Sequence, residues 1–444
     1  LPTGAGKTVI FSEFAAKYTD NVLIVVHRKE LFDQVCKSLS RLGIIYGIVK
    51  SGKPTNLNRV SVAMVETLNN RIKKETFYDT LLVIDECHVG NFKKIKKDFP
   101  FYFGFSATPI ATTDPPLSDY YDELFVPVTV GSLIDNGYLA EPELIAPDRF
   151  VLDLAIDHKT GDFDERQMNE KLSKVTYITA CAQKYAEYCF GKKTLIFCPN
   201  VQISQEVAKL IPNSRHLDYL ASDNERTATI EWFKNTPGAV LVNVALLTTG
   251  FDTPETEAII INRPTKSLPL YMQMVGRGSR VTESKKKFAI LDLYGCCHLE
   301  TIGFWESNKD WEVIWQTTIR KTAKGGEMPL KLCTNCRAMI AIASKICKYC
   351  GHDLIGEKFE DIELIEEVKI ISIAEKEFER IAEIQRRKNL KEFFVLFAGI
   401  EKMPTISHVK TYAALFAEKY KKNESFVIDL AIKKYKEKNA MEFS

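Results

Sequence analysis

The chain has 444 residues, 45% of them hydrophobic and 27% charged, which excludes a disordered or collagen-like protein and leaves room for more than one buried core. Its 60 Lys and Arg against 58 Asp and Glu give a net charge of +2, a near-neutral total that does not exclude nucleic acid, because a local groove can bind backbone. No apolar run approaches the ~18 residues of a membrane-spanning helix, and no signal peptide opens the chain.

Residues 1–8 read LPTGAGKT, a P-loop with Leu1 standing where the first Gly of the pattern would be. A P-loop is fed by a strand and followed by a helix. The helix is expected over 8–17, and the feeding strand is not in the sequence, so the expectation is a fragment that has lost its N-terminus. Continuous apolar runs predict strands over 22–26, 60–68, 81–85 and 101–109, with a helix over 30–42. Strands alternating with helices predict a doubly wound parallel sheet. Pro142, Pro147 and Gly161 mark an irregular stretch, expected as an interdomain connection over 141–171. A second alternation follows: strands over 194–200, 239–247, 257–264 and 288–295, with a helix over 201–210. The expected organisation is α/β, with parallel-sheet domains over 1–140 and 172–322, a Cys-rich module over 330–354 and a helical region over 356–444. In that last region the aromatic anchors are expected to be Phe393, Phe394, Phe397 and Phe416.

The candidate chemistry begins at the P-loop. Gly4 and Gly6 let backbone N–H groups from Thr3 through Ala5 to Thr8 close around a polyphosphate. Lys7 reaches its β/γ end and the Thr8 hydroxyl is a ligand for Mg²⁺. Downstream, VIDECH sets Asp85 and Glu86 at the carboxyl end of an apolar strand, the edge at which parallel sheets bind ligands. There Asp85 can hold Mg²⁺, and Glu86 can orient and deprotonate an attacking water.

With LPTGAGKT, DECH and Ser106-Ala107-Thr108 in this order, the chain resembles the first domain of a superfamily 2 helicase. TTGFDTP at 248–254 is similar to that family's motif V, and QMVGRGSR at 273–280 to motif VI. The stretch from Ile261 to Arg280 is especially similar to the phage and DNA-repair branch, including Rad25-like and restriction-motor-like proteins. The resemblance covers roughly residues 1–300 and implies two RecA-like domains in tandem, with ATP and Mg²⁺ in the cleft between them. It implies that Arg277 and Arg280 neutralise charge building on the γ-phosphate from outside the P-loop domain, with Gln273 contacting the nucleotide or Glu86. Gly250 and Asp252 match positions that touch the γ-phosphate side and the ribose. Ser106 and Thr108, with His88, are implied to couple hydrolysis to nucleic acid.

For nucleic acid the resemblance implies a set of strand-end loops: His27 and Arg28, Ser51 and Gly52, Thr67, Pro199 and Asn200, and Thr248. Backbone N–H groups and small hydroxyls there would bind phosphate without reading sequence. Val244 stands where several relatives carry a Thr or Ser facing the backbone, and the contact is expected to pass to Asn243 or to be absent. In the family, adenine is recognised by residues preceding the P-loop, so weak nucleotide binding with little base discrimination is expected.

Cys333-x-x-Cys336 and Cys347-x-x-Cys350 are two knuckles supplying four thiolates for tetrahedral Zn²⁺. A closed four-thiolate site leaves no open position, so a structural zinc ribbon is expected. With 11 cysteines, an odd number, this usage predicts a reducing, cytoplasmic compartment. The expected function is an ATP-dependent helicase or translocase on nucleic acid, DNA ahead of RNA and no membrane. Its rivals are a duplex translocase without strand separation, an RNA helicase, and a non-hydrolysing nucleic-acid-binding scaffold.

Overall fold

The computed structural model of the chain describes residues 1–71, 79–89, 92, 95, 99, 101–111, 115–158, 160–244, 253–299, 301–309, 311–316, 330–332, 339–341, 369–370, 374–375, 378, 381–382, 392–400 and 403–441. The first domain runs α1 (Lys7–Lys17), β1 (Asn21–Val26), α2 (Lys29–Arg41), β2 (Tyr46–Val49), β3 (Val60–Met64), α3 (Val65–Arg71), β4 (Thr80–Asp85) and β5 (Tyr102–Phe105). Its five strands pair in parallel in the order β2-β3-β1-β4-β5. Every residue of β4 is buried, because helices cover both faces of a parallel sheet and its central strands become continuous apolar runs. Parallel pairing also brings the carboxyl ends of β1, β4 and β5 to one edge, where the N-terminus of α1 also lies.

After α4 (Val130–Asp135) the chain enters β6 (Glu141–Ala146), α5 (Glu165–Leu172), α6 (Val175–Tyr188), β7 (Thr194–Phe197), α7 (Val201–Leu210), β8 (Ser214–Leu217), α8 (Asp223–Asn235) and β9 (Val240–Asn243). Then come β10 (Ala258–Ile261), α9 (Leu268–Val275), β11 (Lys287–Asp292) and the short α10 (Trp311–Trp315). Two short strands, β12 (Leu330–Leu332) and β13 (Met339–Ala341), pair antiparallel. β14 (Lys369–Ile370) joins the edge of the second sheet, whose seven strands run β14-β6-β11-β10-β7-β9-β8 and are parallel except for β14. The chain closes with α11 (Glu392–Ile400), α12 (Ile406–Lys419) and α13 (Glu424–Met441).

These helices form a core of their own around Val395, Leu396, Tyr412, Phe416 and Val427. They dock on α4: Asp135 accepts hydrogen bonds from the Ile406 N–H at 2.9 Å and the Tyr435 hydroxyl at 3.2 Å. A Cβ at Gly131 would meet the Pro404 carbonyl oxygen at 1.7 Å, so the backbones touch where α4 leads into the second domain.

Three expectations are corrected. Residues 141–146 are not connection but strand: β6 pairs with β11 in parallel from Glu141 to Ile145, with Pro142 near its start where a missing N–H is tolerated. The apolar run over 60–68 breaks after Met64 into a helix that buries Val65 and Leu68, one turn apart. The strand over 101–109 stops at Phe105, freeing 106–109 as a loop. Phe416 is buried as an anchor whereas Phe397 is 39% exposed; the side chains of Phe393 and Phe394 lie outside the described residues. No helix among the described residues is long and apolar enough to cross a membrane.

Candidate nucleotide cleft between the two domains

Gly4 and Gly6 have φ of +85° and +80°, the left-handed region that L side chains enter only at a cost, and Gly6 is the N-cap of α1. The first N–H groups of α1 have no partner inside the helix, so with the Lys7 ammonium they form a positive cradle for a polyphosphate. Lys7 lies 3.9 Å from the Glu86 carboxylate.

Asp85 is 3% exposed and accepts a hydrogen bond from the Glu86 N–H at 3.0 Å. Burial, reinforced by the neighbouring Glu86 charge, pushes the Asp85 carboxyl up to about 7. Burial presses Glu86 in the same direction, but Lys7, His88, His27 and Arg277 surround it and hold its carboxyl below the ordinary value. Glu86 has φ of +53°, rare for a non-glycine and stored at functional sites; the kink turns its side chain off the strand end toward Lys7 and His88.

His88 Nδ1 is 2.9 Å from Ser106 Oγ and 3.4 Å from Glu86 Oε2. Burial draws the His88 imidazole below its ordinary value against the pull of Glu86, and its Nδ1 stands between Ser106 and Glu86. Ser106 in turn accepts from the Thr108 N–H at 3.0 Å, tying β4 to the loop after β5. Hence the structure brings Lys7, Glu86, His88 and Ser106 into one chain of contacts.

The second domain closes on this edge. Ser267 caps α9, which ends in the Gly276–Arg280 segment. A Cβ on Gly276 would meet the Thr3 side chain at 2.5 Å, and one on Gly4 would meet Ser279 Oγ at 3.1 Å, so the P-loop and motif VI are in direct van der Waals contact. The Arg277 guanidinium, drawn down to about 10 by burial and supported by Glu86, stays charged at neutral pH and faces the carboxylate across the cleft. Leu139 bridges to Arg280, and the Ala140 N–H donates to the Ser279 carbonyl at 2.7 Å. Gln273 is buried in α9, about one turn before Arg277. Gly276, Ser279 and Leu139 escaped the sequence reading because small and apolar residues carry no chemical signature; only the close approach shows what they do.

The cleft fits a nucleotide with Mg²⁺. Thr3 Oγ1 and Glu86 Oε2 are buried polar atoms without a hydrogen-bond partner among the described residues, and they line the place where phosphates, a metal and water would sit. Bound there, Mg²⁺ would supply charge neutralisation of the phosphate oxygens, with Asp85 and Thr8 the residues placed to hold it.

The expected nucleic-acid contacts sit in differing surroundings. Asn243 is fully buried in β9, its amide N–H donating to the Ile196 carbonyl at 2.9 Å while its Oδ1 has no hydrogen-bond partner among the described residues. Asn200 caps α7, accepting from the Ile203 N–H at 2.8 Å and donating to Asn169 at 2.9 Å. His27 turns inward: its ring is edge-on to Phe92 at 6.1 Å, its Nδ1 is buried, and burial with the Arg28 charge draws it down to about 4. Thr67 is half-buried on α3 rather than in a loop. Arg28 at the N-cap of α2 and Ser51 and Gly52 (φ +76°) in the turn after β2 are exposed, and Pro199 after β7 is half-buried. Thr248, Gly250 and Asp252 lie outside the described residues, as do Cys333, Cys336, Cys347 and Cys350.

The chain matches the family model for the res subunit of type III restriction enzymes over residues 1–111, and that for the helicase conserved C-terminal domain over 173–282. It is 32% identical to a 51.5 kDa protein of a Lactococcus phage (isolate 7-9), the match covering 85% of this chain and 84% of that protein. It is 31% identical to the protein designated ATP-dependent helicase IRC3 of Saccharomyces cerevisiae, over 66% of this chain but only 48% of that one. The fold is similar to a fragment of a type I restriction-enzyme HsdR subunit from Vibrio vulnificus, with a TM-score of 0.52, 18% identity, and 66% and 58% of the two chains covered.

Proposed function

The chain belongs to the superfamily 2 helicases and is an ATP-hydrolysing enzyme of that class; from this premise we propose that it is a DNA-directed motor that steps along a strand as the cleft between its two RecA-like domains opens and closes. The observation that carries the reading is the contact of the P-loop with motif VI, which places Glu86 between Lys7 of its own domain and the charge of Arg277 from the other. In this reading Lys7 and the α1 N-terminus bind the phosphates. Glu86 orients the attacking water and takes its proton. Arg277 and Arg280 offset the charge that develops on the transferred phosphoryl group. His88 and Ser106 relay the state of Glu86 to the loop after β5, and thence to the accessible strand-end positions Arg28, Ser51 and Gly52. The restriction-enzyme description of the family model matched by the first domain favours DNA over RNA.

The test is ATPase turnover with no nucleic acid, single-stranded DNA, duplex DNA and RNA. Stimulation by DNA of at least ~10-fold is expected; stimulation by RNA alone would redirect the substrate assignment. A labelled-duplex unwinding assay beside a triplex-displacement assay then separates strand separation from translocation. We further propose that Cys333, Cys336, Cys347 and Cys350 hold one structural Zn²⁺, on their spacing.

A further inference from the structure

Residues 285–287 are three consecutive lysines, which in sequence read as a solvated charge run. In the structure Lys286 and Lys287 are exposed, but Lys285 is 6% exposed. Its ammonium donates to two backbone carbonyls, that of Thr256 at 2.7 Å and that of Gly278 at 2.7 Å. Gly278 is the middle of motif VI, between Arg277 and Arg280. Thr256 follows directly on the motif V stretch and is fully buried, with its hydroxyl 2.9 Å from that of Thr253.

A buried ammonium costs free energy unless its N–H groups are satisfied, and its natural acceptors here would have been carboxylates. Instead it bridges two carbonyls, one of them in motif VI, and the carboxylates of Glu257 and Glu255 support its charge at longer range. The remaining side of Gly278 is also closed: a Cβ there would meet the Phe288 ring at 2.4 Å and Ile259 Cγ1 at 3.0 Å. The turn carrying both arginines is thus pressed on the sheet by Phe288 and Ile259, and its carbonyl is held by Lys285.

We propose that Lys285 is a positioning residue for the arginine pair: it staples the end of motif V to Gly278 and so fixes the direction in which Arg277 and Arg280 enter the cleft. This rests on the reading of those arginines as the groups that sense the γ-phosphate. Catalysis by oriented charge is sensitive to displacement of about 1 Å, and a two-carbonyl clamp on the intervening peptide restricts displacement of that size.

The experiment compares wild type, Lys285→Met, Lys285→Arg and Arg277→Ala, measuring the affinities for ADP and for ADP with beryllium fluoride, a γ-phosphate mimic, together with kcat and the melting temperature. In wild type the mimic is expected to bind more tightly than ADP. Lys285→Met keeps ADP affinity, loses most of the preference for the mimic and lowers kcat roughly 10- to 100-fold; Lys285→Arg, which retains donors for both carbonyls, recovers part of both. Were Lys285 only a packing residue, the methionine variant would lose ADP and mimic affinity together in step with its melting temperature, and arginine would be the more disruptive substitution. A retained preference in Lys285→Met, with the preference lost in Arg277→Ala, overturns the role of Lys285 alone. An Arg277→Ala protein with wild-type preference overturns the arginine reading and this proposal with it. If Lys285→Met fails to fold, Lys285→Gln, whose shorter amide cannot hold both carbonyls, decides: a reduced preference at unchanged ADP affinity supports the clamp, and a wild-type preference overturns it.

Discussion

Arg226 of the second domain donates a hydrogen bond to Glu30 of the first at 2.6 Å, across the mouth of the cleft. Beside it, Lys29 and Asp223 form the reciprocal pair at 3.0 Å, so the N-terminal turns of α2 and α8 exchange opposite charges. Exposed pairs of this kind contribute little each and are screened by salt. That scale suits a latch which biases domain closure without locking it. Glu30→Arg or Arg226→Glu is expected to shift the domains toward the open arrangement, and the double reversal to restore closure. Interdomain distance measured by fluorescence transfer, with and without 0.5 M salt taken as roughly several times physiological strength, checks this; a double reversal no better than the singles would dismiss the latch.

Glu86→Gln should bind ATP about as tightly as wild type yet lose turnover by roughly 100-fold or more, since the amide keeps the shape but cannot accept the proton. Lys7→Ala should act on nucleotide binding instead. Equilibrium binding and single-turnover hydrolysis separate the two, and near wild-type turnover in Glu86→Gln would remove this residue from the base role.

Gly276→Ala places a Cβ 2.5 Å from Thr3 Cγ2 and 2.6 Å from Thr3 Cβ, and the second of these atoms cannot swing away. The substitution therefore acts on closure. We expect ATPase activity to fall at least ~10-fold with little change in the melting temperature, because each domain keeps its own core. Unchanged kcat would mean that the contact is not part of the working state.

His408 and Glu306 face each other at 3.7 Å where α12 meets the second domain, and their proton linkages oppose one another. Burial draws His408 from 6.5 to about 4, so between these values the unfolded chain holds the extra proton and stability falls as pH falls. Burial pushes Glu306 from 4.5 up to about 7, so over nearly the same window the folded chain holds the extra proton and stability rises as pH falls. The wild type is therefore expected to be nearly flat in this region. His408→Gln leaves only the Glu306 effect and becomes more stable toward acid, whereas Glu306→Gln becomes less so, each by up to about 1.4 kcal/mol per pH unit. Urea midpoints across this range check the two signs.

Elemental analysis should find one zinc per chain, absent in a variant lacking Cys347, with ATPase activity retained because the two sheets owe nothing to metal. A reduced, folded, metal-free preparation would dismiss the site.

The nucleotide cleft was legible wherever its chemistry is encoded in adjacent residues. The Gly-Ala-Gly-Lys-Thr turn and the Asp85–Glu86 pair after an apolar strand specify local geometry through backbone freedom and sheet polarity, whereas Arg277 and Arg280 lie in the turn after α9 rather than on one helical face. Long apolar strands were equally plain. Elements without a continuous apolar run were not: β2, Tyr-Gly-Ile-Val, and β8, the polar Ser-Arg-His-Leu, each lie at a sheet edge, where only one side must be satisfied by pairing.

What the sequence by itself determined, then, is the inventory of phosphate-binding, acidic and basic groups, and the parallel α/β frame that sets their edge. Which polar residues turn inward was decided by contacts far along the chain. Asn200 turned to the N-terminus of α7 because the Ile203 N–H and Asn169 offered partners. Lys285 left its exposed neighbours to meet carbonyls 29 and 7 residues away. A polar side chain goes where its hydrogen bonds are satisfied after the cores have packed, and that place is a property of the tertiary structure, since the groups that satisfy it are not its neighbours in sequence.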